Sequence, residues 1–490
     1  LDNCYIKDFS VSEYRRIRKL DVKEKIVIPS FSAEFAFFDC DAFTDFSHIH
    51  FVGNVNMANA TFSHGSLNFT HTRFDCDIVD FSNCNFHSFQ TIFQYAVFNG
   101  LEALKFENSH FNGQIVSFIN ATIKAETVNF KRVNFNQAKV KFHFAEFGDG
   151  FKTFEKIKFY GSVLDFRRVL FGKGKVDFRR SLFGNGLITF EESEMDEGKL
   201  TFRLCQFEGG DLNFKRMNFG KDEANFDHIS YGGKSISFEA ATGDKITITN
   251  SDIHATLDLR VKKMDTIDLS ESYLHSITDI NFLKPDALNK LIILGTRNLG
   301  KIIINWEKNN VKDLILSQDL LPSRKAEQFN ILKNNFTQTG QYEDEDWAYV
   351  YFKRFQLQAD YEKNVKRYKF KPGLWLLYGA KSLVFDRMGL FATSPNRVFV
   401  SMLVALFLFG LVYIGFQLVG LGEIINSVDA SDNLNVFAKS MYHSAITFFT
   451  IGYGDYYPTQ WCRLISAVEG WVGVFMMSYF TVAFVRKILR

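Results

Sequence analysis

Residues 154–183 read F-E-K-I-K-F-Y-G-S-V-L-D-F-R-R-V-L-F-G-K-G-K-V-D-F-R-R-S-L-F. Phenylalanine stands at 154, 166 and 178, twelve apart, and again five residues after each, at 159, 171 and 183. Working outward, the twelve-residue series runs unbroken from Phe106 to Phe238. Its companions, five residues on, run from Phe111 through Ile123 and Met195 to Tyr231. Upstream the register continues through Phe93, Phe81, Phe69 and Met57, after a slip of one residue between Phe93 and Phe106. A helix needs apolar residues three and four apart, not five and seven. The small or apolar residue two before many of these positions (Leu164, Val176, Ser181) fits short strands with one face inward. Gly172, Gly174, Gly184 and Gly186 cluster between pairs, where corners with positive φ are expected. The fold class expected is a parallel β-helix, a solenoid with phenylalanine ladders up its interior.

The five-residue spacing of Phe166 and Phe171 resembles pentapeptide-repeat proteins. That resemblance implies a right-handed parallel β-helix with one large apolar residue per unit inside. The extra two residues in every twelve depart from the family's pattern. If two twelves make one coil, the sixteen repeats from Met57 to Phe238 give about eight coils and roughly 38 Å at ~4.8 Å each. One coil per twelve would double that length, and both remain open at this point. The phenylalanine-rich solenoid is assigned to residues 1–240. From 241 to 320 the phenylalanines thin out, yet strand-like pieces continue (Ile246–Thr249, Thr256–Val261, Asp265–Leu269), as further coils or as a cap on an otherwise sticky end.

Composition narrows the function. The 490 residues carry 57 basic and 55 acidic side chains, which gives no basis for nucleic-acid binding. Fifty-six phenylalanines against six prolines point to a repeated structural role. The six cysteines (Cys4, Cys40, Cys76, Cys84, Cys205, Cys462) form no metal-clamping pair and read as reduced thiols of a cytoplasmic body. Leu1 opens the chain, so a start further upstream is expected, and no signal peptide is visible. The His48/His50 pair lacks a nearby nucleophile or further ligands, and no enzyme and no organic cofactor are expected.

Residues 321–371 read as a helical connector. Pro322 and Ser323 open a stretch with helical spacing at Ala326, Phe329, Leu332 and Phe336, and Gly340 ends it. A second helix is expected from near Glu343 to about Tyr368, acidic in its first turn and basic at Lys363, Lys366, Arg367 and Lys369, as the helix dipole favours. Residues 372–396 mix Trp375, Tyr378, Lys381, Phe385 and Arg387, as a helix lying on the inner membrane surface would. The remainder, 397–490, reads as an all-α membrane domain. Val398–Leu421 holds no charge over about 36 Å of helix, and a second span follows from about Leu464 to Val485. Arg387 and Arg397 precede the first span, and Arg486, Lys487 and Arg490 follow the second. Both termini are therefore expected in the cytoplasm, and the loop with Asp429, Asp432 and Lys439 outside. A prokaryotic inner or plasma membrane is the expected location.

Between the spans, a short apolar helix (Val436–Phe449) leads into Thr450-Ile451-Gly452-Tyr453-Gly454-Asp455, followed by Tyr457-Pro458. This run resembles the selectivity filter of potassium channels, in which a dehydrated potassium ion needs rings of carbonyl oxygens in place of its water shell. Gly452 and Gly454 let alternate residues turn their carbonyls inward without a Cβ clash. Thr450 can add a hydroxyl at the inner end, Tyr453 can brace the ribbon sideways, and Asp455 caps its outer mouth. Residues 398–490 thus resemble the two-span potassium-channel pore, whose filter reads T-[VI]-G-Y-G-D. The resemblance implies K+ held at Thr450, Ile451, Gly452 and Tyr453, with Gly454 completing the filter, and four identical subunits around one pore. It also implies a hinge at Gly473, a cavity lined by Val474, Met477 and Thr481, and a gate at Val485. Phe449 and Ile446 depart from the threonine and the bracing glutamate of some family members. Glu469, the only acid of the second span, is a candidate brace through Ser444 or Tyr442, or a pH-sensitive group.

No arginine-rich span and no G-x-G-x-x-G motif is present, so voltage and nucleotide sensing are unsupported. Five residues follow the second span, so a large sensor is expected in the N-terminal solenoid, whose ligand or protein partner the sequence leaves unnamed. The solenoid then either gates the pore or assembles and anchors it. The competing readings are a non-selective cation channel and a membrane-anchored scaffold with a silent pore.

Overall fold

The computed structural model describes the whole chain except residues 22, 23, 25, 283, 368–370, 428–433 and 490. Tyr368, Lys369, Asp429, Asp432 and Arg490 therefore lie outside the described residues. The chain divides into two compact units, Leu1–Asp319 and Leu320–Arg490.

The first unit is a parallel β-solenoid. Its pairings decide the coil length: Lys158 pairs with Leu182, Leu164 with Ile188, Leu170 with Glu194 and Val176 with Leu200, each partner lying two full repeats further along the chain. One coil therefore spends two twelve-residue repeats on four lines of parallel pairing. Among the described residues one line stacks 13 strands, from Phe9–Ser10 to Lys301–Ile303, a rise of about 58 Å at ~4.8 Å per coil. The solenoid thus runs well beyond the eight coils that the phenylalanine repeats account for.

The phenylalanines form two parallel stacks in each coil's interior. Phe130, Phe154 and Phe178 lie ring over ring at 5.0 and 4.7 Å, and Phe142, Phe166 and Phe190 at 4.8 Å. The stacks meet edge to face, as at Phe154–Phe166 (5.7 Å, 83°). Offset stacks and T-shaped contacts are the favoured arrangements of aromatic quadrupoles, each worth about 0.5–1.5 kcal/mol beyond burial. The companion residues, Phe159 and Phe171 among them, are buried as well.

Where the corners turn, the glycine expectation needs correcting. Gly172 and Gly174 have positive φ, but Gly184 and Gly186 do not. A Cβ on Gly186 would lie 2.1 Å from the Gly161 carbonyl oxygen one coil earlier, so close stacking fixes that residue. The recurring left-handed position is two residues after each phenylalanine: Lys156, Arg168, Arg180, Glu192, Leu204 and Arg216 all have φ between 55° and 61°. A local hydrogen bond supports it. Asp165 Oδ1 accepts the Arg167 N–H at 3.0 Å and Asp177 Oδ1 the Arg179 N–H at 3.1 Å, an Asx turn around each phenylalanine. The one-residue slip before Phe106 is absorbed at a bulge between Asn99 and Leu101, where Gly100 has a φ of 72°.

Three residues after the phenylalanine, small polar side chains satisfy backbone carbonyls inside the core. Ser181 Oγ donates to the Phe154 carbonyl at 3.0 Å and Cys205 Sγ to that of Phe178 at 2.9 Å. All six cysteines are free thiols. Past Phe238 the ladders continue with Ile248, Leu259, Leu269 and Ile280, all buried. Some coils there are three residues shorter, as where Ser235 pairs with Thr256. Helix α1 (Val11–Arg18) belongs to the first coils. Helix α2 (Val311–Leu316) closes the far end, where Gln318 Nε2 donates to the Leu291 carbonyl at 2.6 Å.

The second unit is helical. Helix α3 (Pro322–Thr339) ends at Gly340 (φ 73°) and packs on α4 (Tyr342–Arg367) through Phe329, stacked on Tyr351 and Phe355. Helix α5 (Lys371–Lys381) continues into a π-helical turn, Ser382–Arg387, tied to α4 by the Arg354–Asp386 ion pair at 2.8 Å. Helix α6 (Pro395–Leu418), α7 (Val436–Phe448) and α8 (Cys462–Ile488) complete it. Among the described residues, α6 and α8 are the helices long and apolar enough to cross a membrane.

Candidate functional site

Helix α7 starts where Asn435 Oδ1 accepts the Ala438 N–H at 2.8 Å, and it is wedged between α6 and α8. Its C-terminal end is fixed by close backbone approach. A Cβ on Gly473 of α8 would sit 2.0 Å from the Phe448 carbonyl oxygen, so only glycine lets α8 pass under the end of α7. Gly473 is thus a packing contact, a role that spacing alone does not disclose.

The chain leaves α7 through Thr450-Ile451-Gly452-Tyr453-Gly454. Positive φ recurs at Thr450 (56°), Gly452 (59°) and Gly454 (78°) and skips Ile451 and Tyr453. The base of this ribbon is tied to α7, with the Ile451 and Gly452 N–H groups donating to the Ile446 carbonyl at 2.8 and 3.2 Å. Ile451 and Tyr453 are 51% and 72% exposed within one chain, a large apolar and aromatic surface left without an intrachain partner layer.

The end of the ribbon at Asp455 is held at several points. Tyr442 OH donates to Asp455 Oδ2 at 2.8 Å, and the Asp455 carbonyl accepts the Ser427 N–H at 2.7 Å. Ile424–Asn426 pairs antiparallel with Tyr456–Pro458. Tyr413, Ile424, Tyr456 and Cys462 form one buried cluster beneath.

Residues 399–490, the part of the chain that holds this ribbon, match the family model described as Ion channel. That part of the chain is similar to an ion-channel domain. No curated protein and no solved structure matches the chain.

Between α6, α7 and α8 lies a buried polar network. Glu469 is fully buried; Oε2 accepts from Tyr413 OH at 2.6 Å and Oε1 is hydrogen-bonded to Ser444. Tyr413 OH also meets Ser466 Oγ at 2.9 Å, which reaches His443 Nε2 at 2.6 Å. Of the two partners expected for Glu469, Ser444 is present, whereas Tyr442 serves Asp455 instead. Tyr413, Ser466 and His443 went unread in the sequence, although Ser466 and Glu469 stand three apart, the spacing of one helix face.

The cavity and gate candidates spread along α8. Val474, Thr481 and Val485 are exposed within one chain, and Met477 packs partly into the cluster of Val398, Met402, Phe448 and Met476. At the far end of α8, Arg486 pairs with Glu345 and Asp346 of α4 at 3.3 and 3.2 Å, and Lys487 with Asp346 at 3.0 Å. The Arg486 guanidinium also lies over the Tyr349 ring, 4.1 Å from its centre. The acidic turn read as a dipole feature thus clamps the end of the second span.

Proposed function

We propose that the protein is one of four identical subunits of a potassium-selective channel. The observation that carries this reading is the alternation of φ along Thr450-Ile451-Gly452-Tyr453-Gly454, between two candidate spans and after a short helix. Alternating signs of φ turn successive peptide planes so that their carbonyls line one edge of the ribbon. Four such edges facing one axis give stacked rings of oxygens, the environment that replaces the water around K+. The exposure of Ile451 and Tyr453 in a single chain supports the same reading, because neighbouring subunits would cover them. In this arrangement Asp455 and Tyr442 hold the outer mouth, and Glu469 ties α8 to α7 and α6 behind the filter.

The cytoplasmic placement of both ends rests on Arg387, Arg397, Arg486 and Lys487 flanking the spans. In chain order the solenoid leads through α3 and α4 to the Glu345/Asp346 clamp on α8. A change in the solenoid would reach Val485, the proposed gate, through that clamp. The solenoid is related in its five-residue units to the pentapeptide-repeat pattern, with two added residues per half coil.

The test is cation flux from lipid vesicles holding the purified chain. Potassium efflux that exceeds sodium efflux and is blocked by barium supports the proposal. Equal fluxes of the two ions would overturn the selective filter.

A further inference from the structure

Near the end of the solenoid, the shortened coils bring two histidines into one register. Asp252 pairs with Tyr273 and Ile253 with Leu274, so the next residues, His254 and His275, stand one above the other. Their imidazole rings stack at 3.9 Å between centres. Stacking alone signals nothing, since His48, His71 and Tyr95 also stack, at 4.9 Å, through coil periodicity. What singles out the second pair is a carboxylate that reaches a nitrogen of both rings. Asp252 Oδ2 lies 3.4 Å from His254 Nε2, and Oδ1 lies 2.8 Å from His275 Nε2. All three donor atoms fall within 4.8 Å of one another, and among the described residues no other three His, Cys, Asp or Glu side chains converge so closely.

We propose that Asp252, His254 and His275 bind a divalent transition-metal cation, with Zn2+ as the probe. Bonds of ~2.0–2.2 Å to such an ion set neighbouring donor atoms roughly 3–3.5 Å apart. The two histidine–carboxylate distances, one to each oxygen of Asp252, already lie close to that range, and the side chains, 53%, 31% and 50% exposed for His254, His275 and Asp252, are free to rotate the rest of the way. Two imidazoles with one carboxylate suit zinc, nickel or copper, whereas calcium and magnesium ask for a shell of oxygens. Asp252 and His275 also line a groove of about 760 Å³ with His228, Glu271 and Tyr273. The ion clips two successive coils together, so its binding stabilises the solenoid by mass action. This site belongs to the first unit and does not depend on conduction.

The test is calorimetric titration of the purified full chain in detergent with ZnCl2 and, separately, CaCl2. One saturable Zn2+ site per chain, with no saturable Ca2+ binding, is expected. H254A and H275A should each weaken Zn2+ binding about tenfold or more, and the double variant should abolish the site. H275Q, which keeps a polar side chain but no imidazole, should behave like H275A. H110A, which alters an exposed histidine elsewhere on the solenoid, should bind as the unaltered chain does. Absence of saturable Zn2+ binding, or unchanged binding by the H254A/H275A double variant, would overturn the proposal.

Discussion

The two halves of this molecule solve opposite problems. In the solenoid, a buried phenylalanine recurs every twelve residues from 106 to 238, and each coil repeats the contacts of the last. In the second unit almost nothing repeats: Asp455 is held by Tyr442, Glu469 by Tyr413, and Gly473 lies against the end of α7, each contact made once. Repetition spreads stability along a line of nearest neighbours, so no single coil is indispensable. Single-copy residues concentrate their effect, so the pore should be far more sensitive to one substitution than the scaffold.

Gly454→Ala should produce the largest effect. Its φ of 78° is costly for any residue with a Cβ, by about 1–2 kcal/mol per chain, so in the proposed tetramer potassium flux should fall by about 100-fold or more. The far-UV dichroism and melting of the solenoid should not change; a joint loss of both would break the division between the halves.

Phe166→Ala is the matching change in the scaffold. Removing a fully buried ring stacked on both sides should cost about 3–5 kcal/mol. Hydrogen exchange should rise in the coils on either side of it and fade with distance, as expected of a one-dimensional array. Uniform loss of protection along the whole solenoid would argue for a single cooperative block instead.

Glu469→Ala removes the carboxylate that Tyr413 and Ser444 bond and leaves them the Ser466 hydroxyl and the Leu406 carbonyl as partners, at a cost of about 1–3 kcal/mol in all. Glu469→Gln keeps an acceptor and the volume and should lose less. Thermal unfolding of the detergent-solubilised chain should separate the two variants in the pore transition alone.

A smaller effect is expected at Lys152. Its amine is buried, donates to the Lys173 carbonyl at 2.7 Å, and burial lowers its pKa to about 8 from 10.5. Below about pH 8 the folded protein holds a charge it disfavours, at full cost. Between 8 and 10.5 the unfolded chain binds more protons than the folded one, so stability should rise with pH across that window. Lys152→Met should raise solenoid stability at pH 7 by on the order of 2 kcal/mol and flatten that rise, as melts at pH 7 and 10 would record.

How much of this was legible in the sequence follows the same divide. The phenylalanine period disclosed the solenoid because a buried ladder must repeat. It did not disclose the coil length, since one repeat per coil and two repeats per coil place the same side chains inside. Only pairings such as Leu164 with Ile188 distinguish the two. The Asx turns at Asp165 and Asp177 were hidden because a left-handed arginine looks like any surface arginine. In the second unit the run Thr450–Asp455, on which the proposed filter rests, stands out as a contiguous motif. The Tyr413–Glu469 contact and the Arg486–Glu345 clamp do not, because they join positions 56 and 141 apart with no local signature.

The most direct test of the selective pore is a single-channel recording with potassium on one side of a bilayer and sodium on the other. A reversal potential displaced toward the potassium equilibrium by more than about 59 mV, the value for tenfold discrimination, is the expected result. A reversal near zero would contradict a filter built from Thr450 to Gly454.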